Sequence, residues 1–135
     1  MNITGIILAG GESKRMGIDK SKILYNNLPL IDYPINLFEK FCNEIIISAG
    51  TSKLQEYNYI KVPDEVGKFG PLAGIYSCLK KSSNQYNIIT TCDMPLIQED
   101  LVEYIVNNSE GFDLIMPFYN SHFEPLCAVY SKSLI

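Results

Sequence analysis

The sequence predicts an α/β domain on a mainly parallel, Rossmann-like sheet, spanning residues 1–135 as one unit. Three observations predict it. Short apolar, β-branched runs alternate with segments whose apolar residues recur at helical spacing, the pattern of βαβ units. The first run, Ile3 to Leu8, ends in Ala9-Gly10-Gly11, as a buried strand feeding a glycine turn does. No internal repeat, low-complexity stretch or linker divides the chain.

The elements follow in order. After the opening strand, Ile31, Ile35 and Phe38, with Leu37 and Phe41 adjoining, predict a helix over 31–41 with Pro34 in its first turn. Glu44 to Ala49 reads as a second strand closed by Gly50. Tyr59 to Val62 reads as a third, broken by Pro63-Asp64. The loop Gly67-Lys68-Phe69-Gly70-Pro71 opens a helix through Leu79, with Pro71 at a tolerated helix start. Tyr86 to Cys92 is a fourth strand ending at Asp93-Met94-Pro95. Gln98 to Val106 is a helix whose first turn carries Glu99 and Asp100, where the macrodipole favours them. Asp113 to Met116 and Leu126 to Tyr130 complete the strands. In such sheets ligands bind at the carboxyl ends of strands, so the glycine turn and Asp93 are expected on one rim.

Composition narrows the function classes. With 47% hydrophobic and 19% charged residues the chain has an ordinary globular balance. No apolar run reaches the roughly 18–20 residues of a membrane span, and the N-terminus lacks the basic start of a signal peptide, so a soluble, cytoplasmic protein is expected. Cys42, Cys78, Cys92 and Cys127 are far apart and read as reduced core thiols. A single histidine, His122, argues against structural zinc; an exposed loop position is expected for it. A net charge of −4 argues against nucleic acid as a partner.

The positive charge is nevertheless uneven. Lys14, Arg15, Lys20 and Lys22 fall in one short stretch, and Arg15 is the only arginine. A solvated charge run is the ordinary explanation of such a cluster. Here it follows Gly10-Gly11, whose backbone N–H groups can line a phosphate cradle. Arg15 can grip phosphate oxygens with its planar fork, and Lys20 supplies a point charge. Neither G-x-x-x-x-G-K-[ST] nor G-x-G-x-x-G fits: Gly67-Lys68 is followed by Phe69, and the glycine after Gly11 is Gly17.

Leu8-Ala9-Gly10-Gly11, then Arg15-Met16-Gly17 and Asp19-Lys20, resembles the signature loop of nucleotidyltransferases that take an NTP and release pyrophosphate. Within that superfamily it is most similar to the molybdenum cofactor guanylyltransferases. Gly70-Pro71-Leu72-Ala73-Gly74 resembles that family's second hallmark, and Cys92-Asp93-Met94-Pro95 matches its Cys-Asp-x-Pro. Taken alone, the first of these is a plain loop-to-helix join as readily as a site, and Asp93 as readily a turn or capping residue. Glu124 to Tyr130 is similar to a family segment that shapes the second-substrate pocket.

The resemblance implies a three-layer fold of the nucleotide-diphospho-sugar-transferase type. It implies transfer of GMP from GTP to molybdopterin with release of pyrophosphate. Arg15, Lys20 and Asp93 would be catalytic, with Asp93 holding Mg²⁺. Leu8, Ala9, Gly10, Gly11, Lys20, Ser48, Asp64 and Asp93 would bind the nucleotide, Leu8, Ala9 and Asp64 on the guanine. Ser48 stands where the family often has asparagine. A monomer is expected, with molybdoenzyme-maturation proteins as further partners. Family members continue past the strand ending at Tyr130 with a further helix and a late Asn/Asp and Thr-Pro segment, so this chain is expected to lack C-terminal elements. A cytidylyltransferase acting on molybdopterin, a sugar-phosphate nucleotidyltransferase and a non-catalytic nucleotide-binding module are the alternatives.

Overall fold

The computed structural model describes residues 1–10, 19–50, 53–64 and 69–135. In chain order its elements are β1 (Ile3–Leu8), β2 (Leu24–Tyr25), β3 (Leu28–Pro29), α1 (Asp32–Phe38), β4 (Glu44–Ser48), β5 (Ile60–Val62) and α2 (Pro71–Lys81). There follow β6 (Tyr86–Thr91), α3 (Glu99–Asn107), β7 (Leu114–Ile115), β8 (Phe118–Tyr119), β9 (His122–Phe123) and β10 (Cys127–Ser131). Short 3₁₀ turns cover Lys20–Lys22 and Lys132–Leu134.

Six strands form one sheet in the order β5-β4-β1-β6-β10-β7. Strands β5, β4, β1 and β6 run parallel, whereas β10 is antiparallel to β6 and to β7. The alternation of side chains explains the uninterrupted apolar runs, because both faces are covered. Ile3, Ile7, Ile45, Ile47 and Ile88 pack under α1 and α3 with Phe38, Val102 and Ile105. Ile6, Leu8, Ile46 and Ile89 pack on the other face against Ile75, Cys78 and Leu79 of α2. The result is the three-layer arrangement expected, with helices on both faces of a mainly parallel sheet. No described helix is long and apolar enough to cross a membrane.

The differences from expectation have local causes. The first helix ends at Phe38 instead of Phe41, because Lys40 and Phe41 donate to Leu37 and Phe38 in a tightened 3₁₀-type turn. The strand expected over 113–116 shortens to Leu114–Ile115, which pair with Tyr130 and Val129. Two hairpins, β2–β3 and β8–β9, stand where no strand is expected. Their central residues have positive φ, 48° and 63° at Asn26 and Asn27, 49° and 63° at Asn120 and Ser121. Two-residue hairpin loops need that backbone, and asparagine tolerates it better than most residues. His122 therefore lies on strand β9, exposed but not in a loop.

Candidate active site

The carboxyl ends of the parallel strands meet on one rim. Leu8 at the end of β1 lies level with Ser48 of β4 on one side and Thr91 of β6 on the other. Two backbone bonds lock the turns that follow: Ala9 N–H donates to the Ser48 carbonyl (3.0 Å) and Cys92 N–H to the Leu8 carbonyl (3.1 Å). Ala9-Gly10 and the Cys-Asp-Met-Pro turn thereby leave neighbouring strand ends, as the sequence implies.

Asp93 follows β6 by two residues. Thr91 Oγ1 donates to its Oδ1 at 2.6 Å, and its Oδ2 faces Lys20 Nζ at 3.9 Å. Lys20 opens a 3₁₀ turn capped by Asp19, whose Oδ1 accepts from Ser21 N–H (3.0 Å) and Ser21 Oγ (2.6 Å). Ser21 is fully buried, and its carbonyl accepts from Ile31 N–H at the start of α1. This anchors the lysine's backbone while leaving its ammonium at the surface. Asp19 and Thr91 are thus positioning residues that the sequence reading does not single out. The signals are there: Asp-Lys-Ser is a short capping pattern, and a threonine two residues before Asp93 is within reach of its carboxylate.

On the other flank, Ser48 Oγ donates to Asp64 Oδ1 at 3.3 Å, two residues beyond β5. Ser48 is buried and Asp64 exposed, so the hydroxyl steadies a carboxylate that opens to the rim. Helix α2 closes over both at Gly74, where a Cβ would lie 2.7 Å from Ser48 Oγ and 3.3 Å from Asp64 Oδ1. The small residue in the Gly-Pro-Leu-Ala-Gly segment is therefore required by close approach.

Two expected roles are narrowed. The Leu8 side chain is buried in the core under α2, and its carbonyl is taken by Cys92 N–H. The Ala9 N–H is engaged by Ser48 and is not free to donate to a ligand. Gly10 is exposed beside these groups, while Gly11 and Arg15 lie outside the described residues.

Burial favours the protonated form of all four thiols. Burial pushes Cys92 up to about 11, with the nearby Asp93 and Asp19 charges adding to it, and burial likewise raises Cys127 to about 11. Burial holds Cys42 and Cys78 at about 12. Protonated thiols are poor nucleophiles and poor metal ligands. Among the described residues no three or more His, Cys, Asp or Glu side chains gather into a metal cluster. Asp93 is a single carboxylate with side-chain exposure of 46%. That suits Mg²⁺, which takes one or two protein carboxylates and completes its shell with water and substrate phosphates.

A mainly parallel α/β sheet with Gly10, Asp64 and Asp93 just beyond the carboxyl ends of its strands defines the class of nucleotide-binding Rossmann-like domains. Within it, this chain belongs to the MobA-like NTP transferase domain family, whose description matches residues 5–135. A Pelotomaculum thermopropionicum protein named "Probable molybdenum cofactor guanylyltransferase" is 36% identical over 140 residues, covering 100% of this chain and 66% of that protein. A Campylobacter jejuni subsp. doylei protein named "Molybdenum cofactor guanylyltransferase" is 31% identical over 131 residues, covering 96% of this chain and 69% of that one. The structure of "Molybdopterin-guanine dinucleotide biosynthesis protein A" from Archaeoglobus fulgidus shares the fold, with a TM-score of 0.77 at 23% identity over 96% of this chain and 68% of that one. The chain spans about two thirds of the length of the curated relatives it matches.

Proposed function

We propose that this chain transfers GMP from GTP to molybdopterin and releases pyrophosphate, with Mg²⁺ held by Asp93. The observation that carries the reading is the convergence of Lys20 on Asp93 at the rim, 3.9 Å apart. Family membership and the names of relatives called molybdenum cofactor guanylyltransferases support this choice of substrates.

Transfer of this kind asks the protein for positioning and charge neutralisation and needs no covalent intermediate. A terminal phosphate oxygen of molybdopterin attacks the α-phosphorus of GTP in line. The new bond is oxygen to α-phosphorus; the bond from α-phosphorus to the bridging oxygen breaks, and pyrophosphate leaves with its electron pair. Lys20 neutralises charge on the phosphates, and Arg15 adds its fork. The Gly10-Gly11 turn donates backbone N–H groups. Thr91 steadies the Asp93 carboxylate, which would hold the metal. Bound Mg²⁺ would supply Lewis-acid neutralisation of phosphate charge. Asp64, steadied by Ser48, accepts from the N–H edge of guanine. No general base is required, because a phosphate monoester is already anionic near neutral pH.

The test is pyrophosphate release with GTP, Mg²⁺ and molybdopterin, with CTP in parallel. GTP-dependent release that Asp93→Ala abolishes is the expected result. Equal or better turnover with CTP would overturn the guanine assignment, and full Mg²⁺-dependent turnover by Asp93→Ala would overturn the metal assignment.

A further inference from the structure

The sheet order sets the candidate groups in a row. Asp64 follows β5, Ser48 ends β4, Ala9 and Gly10 follow β1, and Asp93 follows β6. Three inter-strand steps of ~4.8 Å make that row roughly 14 Å long. A nucleotide with its base at Asp64 and its phosphates at Asp93 would fill it. With the α-phosphate at Asp93 and the leaving pyrophosphate turned back toward Gly10, a second substrate attacking in line arrives from beyond β6, on the side of β10 and β7.

One element occupies that end of the rim. Strand β10 starts beside the end of β6, with Cys127 paired to Thr90, and β7 runs parallel to β6. The chain between them, hairpin β8–β9, consequently rises from the same rim as Asp93. It is fastened at its base by Glu124 N–H donating to the Pro117 carbonyl at 2.9 Å. Phe118 and Phe123 pair across it, their ring centroids 4.8 Å apart and tilted by 49°. Both rings are open to solvent, 61% and 66% exposed. Tyr119 and His122 stand on the opposite face of the hairpin. Two rings held against each other and left uncovered on a hairpin that rises from this rim suit a flat conjugated ligand, which stacks on an exposed ring face whatever its hydrogen-bonding edge.

We propose that Phe118 and Phe123 form a stacking platform for the planar heterocycle of the phosphate-bearing acceptor. The inference rests on the transfer reading above and adds the residues that select the second substrate. The platform fixes the ring, so that the acceptor phosphate extends toward Asp93.

The test uses the full chain, molybdopterin as acceptor in pyrophosphate release, and a fluorescent pterin as binding probe. Phe118→Leu with Phe123→Leu is expected to raise the molybdopterin KM roughly tenfold, the scale of one lost aromatic stack, and to abolish quenching of the probe. The GTP KM and kcat stay within about twofold, which a general loss of folding would not allow. Phe118→Tyr with Phe123→Tyr, which keeps both rings, retains wild-type values, and so does Tyr119→Leu on the other face. Unchanged molybdopterin KM and quenching in the leucine pair would overturn the platform. So would a shift of that pair to a smaller hydrodynamic species, which would assign the hairpin to contact between copies. Ring-dependent quenching without pyrophosphate release by the wild type would leave the platform standing and remove the transfer reading; turnover with a ring-independent KM would do the reverse.

Discussion

Lys20 Nζ and Asp93 Oδ2 face each other at 3.9 Å, each side chain about half exposed, at 45% and 46%. An exposed pair at that separation adds little to stability, because water screens both charges. The pair is instead easily re-partnered. Lys20 can turn to a phosphate and Asp93 to a cation without leaving an orphaned buried charge. The contact is a resting arrangement of two groups whose proposed partners are ligands.

Asp93→Asn and Lys20→Met should consequently leave thermal stability near wild type while lowering turnover by at least ~100-fold, the scale of losing one charge-stabilising group. Differential scanning fluorimetry and pyrophosphate release together check this. A large loss of stability with activity intact would make the pair structural.

Gly74→Ala should weaken GTP binding by roughly tenfold, or ~1.4 kcal/mol. The added Cβ would lie 2.7 Å from Ser48 Oγ, too close to stand, and the hydroxyl has to turn away from Asp64. Alanine is otherwise the better helix residue by up to ~1 kcal/mol, so the fold should survive. Calorimetric titration of GTP decides it: unchanged affinity would separate the Ser48–Asp64 contact from nucleotide recognition.

Much of the sheet is legible because burial on both faces writes strands as largely apolar runs such as Ile6–Leu8 and Ile45–Ile47. The turns after Leu8 and Thr91 are legible from their glycine and Asp-Met-Pro residues, and with them the shared rim. What escapes is set by longer-range contacts. That Asp19 caps the turn presenting Lys20, or that Ser48 reaches Asp64, depends on distances between segments that spacing does not encode. The hairpins Tyr25–Leu28 and Tyr119–His122 escape because their turns use Asn-Asn and Asn-Ser in place of the stronger Asn-Gly signal. The antiparallel β10 escapes because periodicity carries no strand direction.

Gly70→Ala should destabilise the fold by ~1–3 kcal/mol without a steric clash. Gly70 caps α2 at φ 61° and ψ −147°, a conformation open essentially to glycine alone. A Cβ there would meet nothing within 4 Å, so the cost is purely one of backbone conformation. Urea unfolding measures it directly. A variant as stable as wild type would mean that the cap relaxes to an ordinary backbone, and the start of α2 would then be expected to shift.

At the opposite end of the sheet from the rim, Glu44 ties three segments together. Its Oε2 accepts from Thr4 Oγ1 at 2.6 Å and from Ser83 N–H at 3.1 Å, and its Oε1 from Ser83 Oγ at 2.9 Å. Burial alone would raise this carboxyl, but the bonds from Thr4 and Ser83 and the Lys132 charge outweigh it and hold the group below its ordinary value. A folded-state pKa below the unfolded one means the ionised form is favoured by folding. Its contribution is therefore fully present above the unfolded value of ~4.3 and is lost as pH falls through the lower folded value. Glu44→Gln should be less stable than wild type at neutral pH, and the gap should narrow steadily below pH ~4.5. Thr4→Val should reproduce part of the effect by removing the shortest of these bonds. Neither change should alter GTP affinity, since both residues lie at the far end of β1 and β4 from Ser48 and Asp93. Unfolding free energies measured across the acid range decide the matter: a gap that stayed constant or widened on acidification would show that the Glu44 carboxylate is not stabilised by the fold.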